Sequence, residues 1–379
     1  MNPRVEEISG SLIREIAAKR KPGSIDLGLG EPSLLPTRAF FESAIRKTAA
    51  QGVPYTLNAG DPELREAIGA HYLYPHYTAA ENVCITTGSQ EAVYVTVKAL
   101  LDPAKDEMLV VEPAFPAYAK MAKLEGAAVR TVSMDAATGF AYDAQRILEA
   151  VTERTRLIVI CSPCNPTGRV IDRQTVNAIA EGLLQRGGEP VYVLHDEIYR
   201  EQTYVEDAGH FASVYPHTIV TNSVSKSNAL TGLRLGWTLA PKAVTAAFVK
   251  THAWVTSCAS TFAQRVALEI FSTPGALAEH APWYRQRRAH VVAALEASGM
   301  QFIEPDGSFY ACVRLPDGME SLPAAHALAD EHGVIAIPGI AFGACFEGWL
   351  RLSWVAPPDD VRRGIERIAQ FCAATAARG

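Results

Sequence analysis

Residues 218–239 read TIVTNSVSKSNALTGLRLGWTL. The run 218–221 is short, apolar and β-branched, which predicts a buried strand, and 235–239 predicts a second one. Between them lies a loop of small and hydroxyl residues carrying Lys226 directly after Ser223-Val224-Ser225, with Arg234 eight residues further on. A lysine amine becomes nucleophilic only when desolvation or a cationic neighbour lowers its pKa. Arg234 offers that neighbour, and its planar fork suits a phosphate dianion. Taken alone, S-x-S-K also suits a capped turn with a surface lysine.

Moving outward, the same punctuation repeats. Short apolar runs at 83–86, 108–111, 157–161 and 192–194 alternate with helix-like stretches such as 90–101 and 174–185. That alternation predicts an α/β fold, a parallel-rich sheet covered by helices. Ligands of such sheets gather where loops leave the carboxyl ends of strands. Three loops rich in chemistry follow strands here: SPCNPTG (162–168), HDEIY (195–199) and NSVSKSN (222–228). After about residue 285 the texture changes to a helix at 284–298, a strand at 308–313, a helix at 324–332, a strand at 348–353 and a last helix from 359 to about 374. We read a large three-layer α/β/α domain over 43–285, with a mainly parallel mixed sheet. A smaller α+β domain over 286–379 is completed by the N-terminal residues 1–42, whose apolar positions Val5, Ile8, Leu12, Ile13 and Ile16 suggest one amphipathic helix.

The loop residues have matching chemistry. Asp196 at a strand end can pair with a pyridinium nitrogen and hold it protonated, which makes the ring an electron sink. The Tyr199 phenol and the Asn165 amide can hydrogen-bond a ring oxygen beside it. Gly88-Ser89-Gln90 opens an apolar helix, and backbone N–H groups there suit a phosphate. Phe115, within EPAFPAY, can stack on a flat ring. Each of these also has an ordinary use as a cap, a turn or a core side chain.

Taken together, the ordered set GLGEP, YTLNAGDPELREAI, TTGSQEAV, EPAFPAY, SPCNPTG, HDEIY, SVSK, GLRLG and RLSW resembles the class I/II aminotransferases, pyridoxal-phosphate enzymes of aspartate-aminotransferase-like fold. The resemblance runs from about Gly28 to Trp354. It implies pyridoxal 5'-phosphate as cofactor, with Lys226 as the residue that bears it and later acts as general base. It further implies Asp196 at the ring nitrogen, Tyr199 and Asn165 at the 3-oxygen, and Phe115 stacked on the ring. Ser89, Gln90, Ser223 and Arg234 would bind the phosphate. Tyr55 and Ser257 match residues that reach the neighbouring subunit's site, which implies a homodimer. Arg351 matches the arginine that clamps the substrate carboxylate, and Gly30 a glycine whose backbone lies close to the substrate. The sequence departs from common family usage at Cys164, His195 and Cys258, which bears on the substrate and not on the chemistry.

Composition narrows the partners. The chain has 379 residues and a formal net charge of −6, which argues against nucleic acid as a partner. No apolar run is long enough to span a bilayer and the N-terminus has no apolar signal core, so the expected location is the cytoplasm. Seven cysteines are scattered from Cys84 to Cys372, and Cys161 and Cys164 form a lone C-x-x-C pair. Reduced, buried thiols are expected there, with no metal. The expected reaction is ping-pong transfer of an amino group between an L-amino acid and a 2-oxo acid. The stretch THAWVTSCAST places Ala253 and Trp254, and no arginine, where dicarboxylate-specific relatives carry a basic residue, so a neutral, apolar or aromatic side chain is expected. A β-lyase on the same scaffold is the alternative, and a non-catalytic cofactor-binding module a remote one.

Overall fold

A computed structural model describes residues 1–376 apart from positions 33 and 36. Its centre is a seven-stranded sheet in the order Val83–Thr86, Gly236–Leu239, Thr218–Ser223, Tyr192–Asp196, Thr155–Cys161, Glu107–Glu112 and Ala128–Ser133. The last five run parallel to one another, whereas Gly236–Leu239 is antiparallel to both of its neighbours. The fold is therefore α/β, as expected.

Helices cover both faces. Val83 and Ile85 point into one apolar cluster with Leu64, Ile68 and Val266, while Cys84 between them points into another with Val93, Val97 and Phe248. Alternate residues of one strand serve opposite layers, which is why these strands are nearly continuous apolar runs. The strand Ala128–Ser133 escaped the sequence reading. It lies at the sheet edge with Arg130 and Thr131 exposed, so it lacks the apolar signature of its neighbours.

Strand register decides where the loops meet. Cys161 lies beside Asp196, and Asp196 beside Thr221. Three carboxyl ends thus share one edge. The antiparallel strand enters from that edge, since Gly236 pairs with both Thr86 and Ser223. This brings Arg234 and the start of the helix Ser89–Leu100 to the place where Lys226 emerges.

A second sheet of four antiparallel strands has the order Ile337–Pro338, Trp349–Ser353, Tyr310–Arg314 and Phe302–Ile303. Helices Ala281–Ser298, Ser321–Glu331 and Pro358–Ala376 accompany it in sequence. Near the N-terminus, Ile25–Asp26 pairs in parallel with Val334–Ile335. The single helix expected over Val5–Ile16 is instead two, Pro3–Glu6 and Leu12–Ala18. Ser9-Gly10-Ser11 separates them: glycine is a poor helix former, and Ser11 caps the second helix by accepting from the Arg14 amide. All seven cysteines are free thiols, and Cys161 and Cys164 are buried.

Candidate active site

Lys226 sits in the four-residue helix Val224–Ser227, which Ser223 caps through its hydroxyl. Its own backbone carbonyl accepts from Gln202 Nε2 and Tyr284 Oη, both at 3.0 Å, so the turn is pinned from two sides. The side chain is half-buried and its Nζ donates to the Gly30 carbonyl at 2.6 Å. Burial pushes the amine down to about 8; Glu31 opposes this, while Arg351 and Arg234 add to it. A large fraction of such an amine is neutral near pH 8.

Asp196 is buried one strand away. Its Oδ2 accepts from the Tyr118 hydroxyl at 2.6 Å, and its Oδ1 accepts from Thr221 Oγ1 at 3.1 Å and the Ile198 amide at 3.2 Å. Burial pushes its pKa up, and these donors pull against that shift. Tyr118 was not singled out in the sequence, although it stands three residues after Phe115 in the same motif. Phe115 is half-buried and meets Tyr118 edge-on, with ring centres 5.9 Å apart.

The residue after Asp196, just past the strand end, anchors the opposite side. Glu197 is fully buried and accepts from Tyr74 Oη at 2.7 and 2.8 Å, while Arg200 Nη1 lies at 2.7 Å and His210 Nδ1 at 3.0 Å. His195 Nδ1 approaches the same carboxylate at 3.1 Å. Burial alone would raise the pKa of Glu197, but His210 and Arg200, helped by His195, hold it well below the carboxylate range. The ligand-type atoms of His195, Glu197 and His210 lie within 4.8 Å of one another. With Arg200 already against Glu197, the cluster reads as an ion-pair network and not as a metal centre. Glu197→Gln leaves Arg200 without its counter-charge, and the expected cost is about 3–5 kcal/mol in denaturant unfolding. Because the folded pKa is depressed, the stabilisation by Glu197 is present above 4.5, its ordinary value, and is lost as pH falls through the folded one. The variant should therefore lose less stability on acidification than the parent.

Arg351 lies on Trp349–Ser353, opposite Cys312 and Ile337. It is only 2 % exposed, so it is not a surface strand arginine. Nη1 donates to Asn165 Oδ1 at 3.0 Å, Nη2 donates to the Gly28 carbonyl, and Nε has no hydrogen-bond partner. The guanidinium lies over the Tyr310 ring at 4.2 Å and near the Phe342 ring at 5.1 Å. Tyr199 is buried, with its hydroxyl 3.3 Å from that of Tyr310. Gly30 leaves no room for a side chain, because a Cβ there would overlap the Tyr310 hydroxyl. Tyr310 is a second residue that the sequence did not single out.

The other end of the cleft suits an anion. Gly88, at φ +82°, precedes the helix Ser89–Leu100, whose first turn has no side-chain cap. A Cβ on Gly88 would collide with the Arg234 guanidinium, and one on Gly236 with the Ser89 amide. These glycines thus let an arginine and a helix N-terminus close on one spot. Arg234 is exposed and itself adopts φ +52°, with Nη1 donating to the Thr231 carbonyl at 2.9 Å. Ser223 Oγ is engaged by Ser225 and the Leu235 carbonyl, both at 2.7 Å. Ser89 is half-buried and Gln90 exposed.

Tyr55 and Ser257 stand apart. Tyr55 is 87 % exposed, and Ser257 is exposed at φ +69°. Their two segments are tied together, with Asn58 Nδ2 donating to the Ser257 carbonyl at 2.7 Å and Thr261 Oγ1 to the Pro54 carbonyl at 2.6 Å. Among the described residues, neither makes a hydrogen bond to the Lys226 cluster.

A lysine amine lowered by burial, a buried aspartate, a glycine-lined approach of Arg234 to a helix N-terminus and an interior arginine thus make up the site. Comparison with known proteins identifies the family. The family described as aminotransferase class I and II matches residues 22–368. An aspartate aminotransferase of Pyrococcus horikoshii is 34 % identical over 96 % of this chain and 95 % of its own. A probable N-acetyl-LL-diaminopimelate aminotransferase of Bacillus subtilis is also 34 % identical, over 98 % and 95 %. Among solved structures, the aspartate aminotransferase of Thermus thermophilus with maleate superposes with a TM-score of 0.91 at 30 % identity, covering 98 % of this chain and 99 % of that one. The chain belongs to the class I and II aminotransferases; it is an aminotransferase of aspartate-aminotransferase-like fold.

Proposed function

We propose that this aminotransferase binds pyridoxal 5'-phosphate at Lys226 and moves an amino group between a neutral, apolar or aromatic L-amino acid and a 2-oxo acid, in ping-pong order. The observation that carries this reading is the Lys226 amine, lowered to about 8 by burial and held within the field of Arg351 and Arg234. The donor set fits the cofactor. The Gly88 cradle and Arg234 would take the phosphate with Ser89, Gln90 and Ser223, Asp196 would face the ring nitrogen, Tyr199 and Asn165 the 3-oxygen, and Phe115 the ring face. When bound, the cofactor supplies an electron sink for the bond broken at the amino acid's α-carbon.

The protein's own groups do the rest. Arg351 and Asn165 orient the substrate by its carboxylate, with the Gly30 backbone close by. The Lys226 amine, near that α-carbon, would take the α-proton as general base. Rings at Tyr310 and Phe342 flank Arg351, and the side-chain preference rests on Ala253 and Trp254 standing where a basic residue would meet a distal carboxylate. The relatives' names divide: aspartate for several, but aspartate/prephenate for a Thermus thermophilus protein and aromatic for a Pyrococcus horikoshii structure. A homodimer with shared sites belongs to the proposal. Val53, Tyr55, Leu57 and Trp254 are all more than 60 % exposed around the Ser257 segment, an apolar patch that a second copy would cover. The division into 43–285 and 286–379, with 1–42 completing the smaller part, and a cytoplasmic location belong to it too.

The test is a panel of single amino acids added to the cofactor-loaded protein without an oxo acid. Stoichiometric oxo acid should appear fastest with aromatic or aliphatic donors. A panel led by aspartate would reverse the side-chain preference, and catalytic ammonia without an acceptor would reverse the reaction type.

A further inference from the structure

Tyr310 is a buried phenol whose hydroxyl has no part in the reaction as described. Tyr310 starts the strand Tyr310–Arg314 and is 2 % exposed. Its ring carries the Arg351 guanidinium at 4.2 Å, on an arginine whose Nε has no hydrogen-bond partner. Its hydroxyl lies 3.3 Å from Tyr199 Oη, and the two rings meet edge-on. The same hydroxyl fills the space that a side chain at residue 30 would need, beside the carbonyl that receives Lys226. One side chain therefore touches the carboxylate clamp, the phenol proposed for the 3-oxygen and the glycine next to the lysine.

We infer that Tyr310 is a positioning residue that couples the clamp to the phenol: its ring sets the plane of Arg351, and its hydroxyl donates to Tyr199, leaving the Tyr199 proton directed at the cofactor's 3-oxygen. The donor direction follows from the proton count. A phenol has one proton to give, so a Tyr199 that gives its own to the 3-oxygen can only accept at the 3.3 Å contact, which leaves the Tyr310 hydroxyl as the donor. A phenol that accepts one hydrogen bond donates a stronger one onward.

The inference rests on the cofactor reading above, and its test separates the two. Tyr310→Phe keeps the ring and deletes the hydroxyl; Tyr310→Leu deletes both. In loaded protein without substrate, absorbance is followed against pH. Weakening the donor to the 3-oxygen disfavours the deprotonated form, so Tyr310→Phe should raise the midpoint by about 0.5–1 pH unit, while KM for the amino donor stays within about twofold. Tyr310→Leu should raise KM about tenfold through the loss of ring contact with Arg351. A midpoint that does not move, or falls, in Tyr310→Phe overturns the donor role. An unchanged KM in Tyr310→Leu overturns the clamp role. A wild-type protein with no cofactor band, or a band that survives unchanged in Lys226→Ala, overturns the cofactor reading itself and this inference with it.

Discussion

Lys226→Ala should lower turnover by about four orders of magnitude or more, because under the proposed function one amine is both the bearer of the cofactor and the base at the α-carbon. The two losses are separable. Cofactor retained after gel filtration reports the first, and a single-turnover measurement with excess cofactor reports the second. Added methylamine should restore part of the base function and none of the attachment. The pH dependence follows from the amine itself. A lysine lowered to about 8 is mostly protonated at pH 7 and mostly neutral at pH 9. Cofactor capture by the apoprotein should therefore rise about tenfold per pH unit below 8 and level off above it. Capture that keeps rising to pH 10 would mean an ordinary solvated lysine.

Arg351→Ala should reduce kcat/KM about a thousandfold, the worth of two charge-assisted hydrogen bonds to a carboxylate in a dry site. Arg351→Lys should recover little, since a point charge cannot reproduce the fork. The informative control is an amine of the same side chain without the carboxylate. Its reaction, slow in the parent, should be no slower in the variant. A variant that loses equally on both would mean that Arg351 acts through packing: it is 2 % exposed, lies on the Tyr310 ring and donates to Asn165 and Gly28. Melting temperatures of the two variants set that packing contribution apart from the carboxylate contribution.

Much of the molecule was legible from the chain alone. The run TIVTNSVSK announced a strand and the lysine after it, because a strand buried on both faces must be apolar over its whole length and its end is where polar residues resume. The ordered motifs from GLGEP to RLSW identified the family through their sequence and their order along the chain. Sequence patterning was weakest where burial is partial. The edge strand Ala128–Ser133 exposes Arg130 and Thr131 and was not read as a strand, and the N-terminal helix was read through Ser9-Gly10, which breaks it in two.

The linear sequence determined the class of enzyme and marked most of the side chains gathered at the site, Tyr118 and Tyr310 apart. Only the tertiary structure decided which of them touch. Tyr118 meets Asp196 across 78 positions, and Arg351 meets Asn165 across 186. Tyr310 reaches Tyr199 from another sheet, and Gly88 is a glycine because Arg234, two residues ahead of an antiparallel strand, occupies the space of its missing side chain. Local propensity and periodicity report a residue's neighbours along the chain. The lowered amine of Lys226, the depressed carboxylate of Glu197 and the burial of Arg351 depend instead on what packing removes from water, which strand order and register decide.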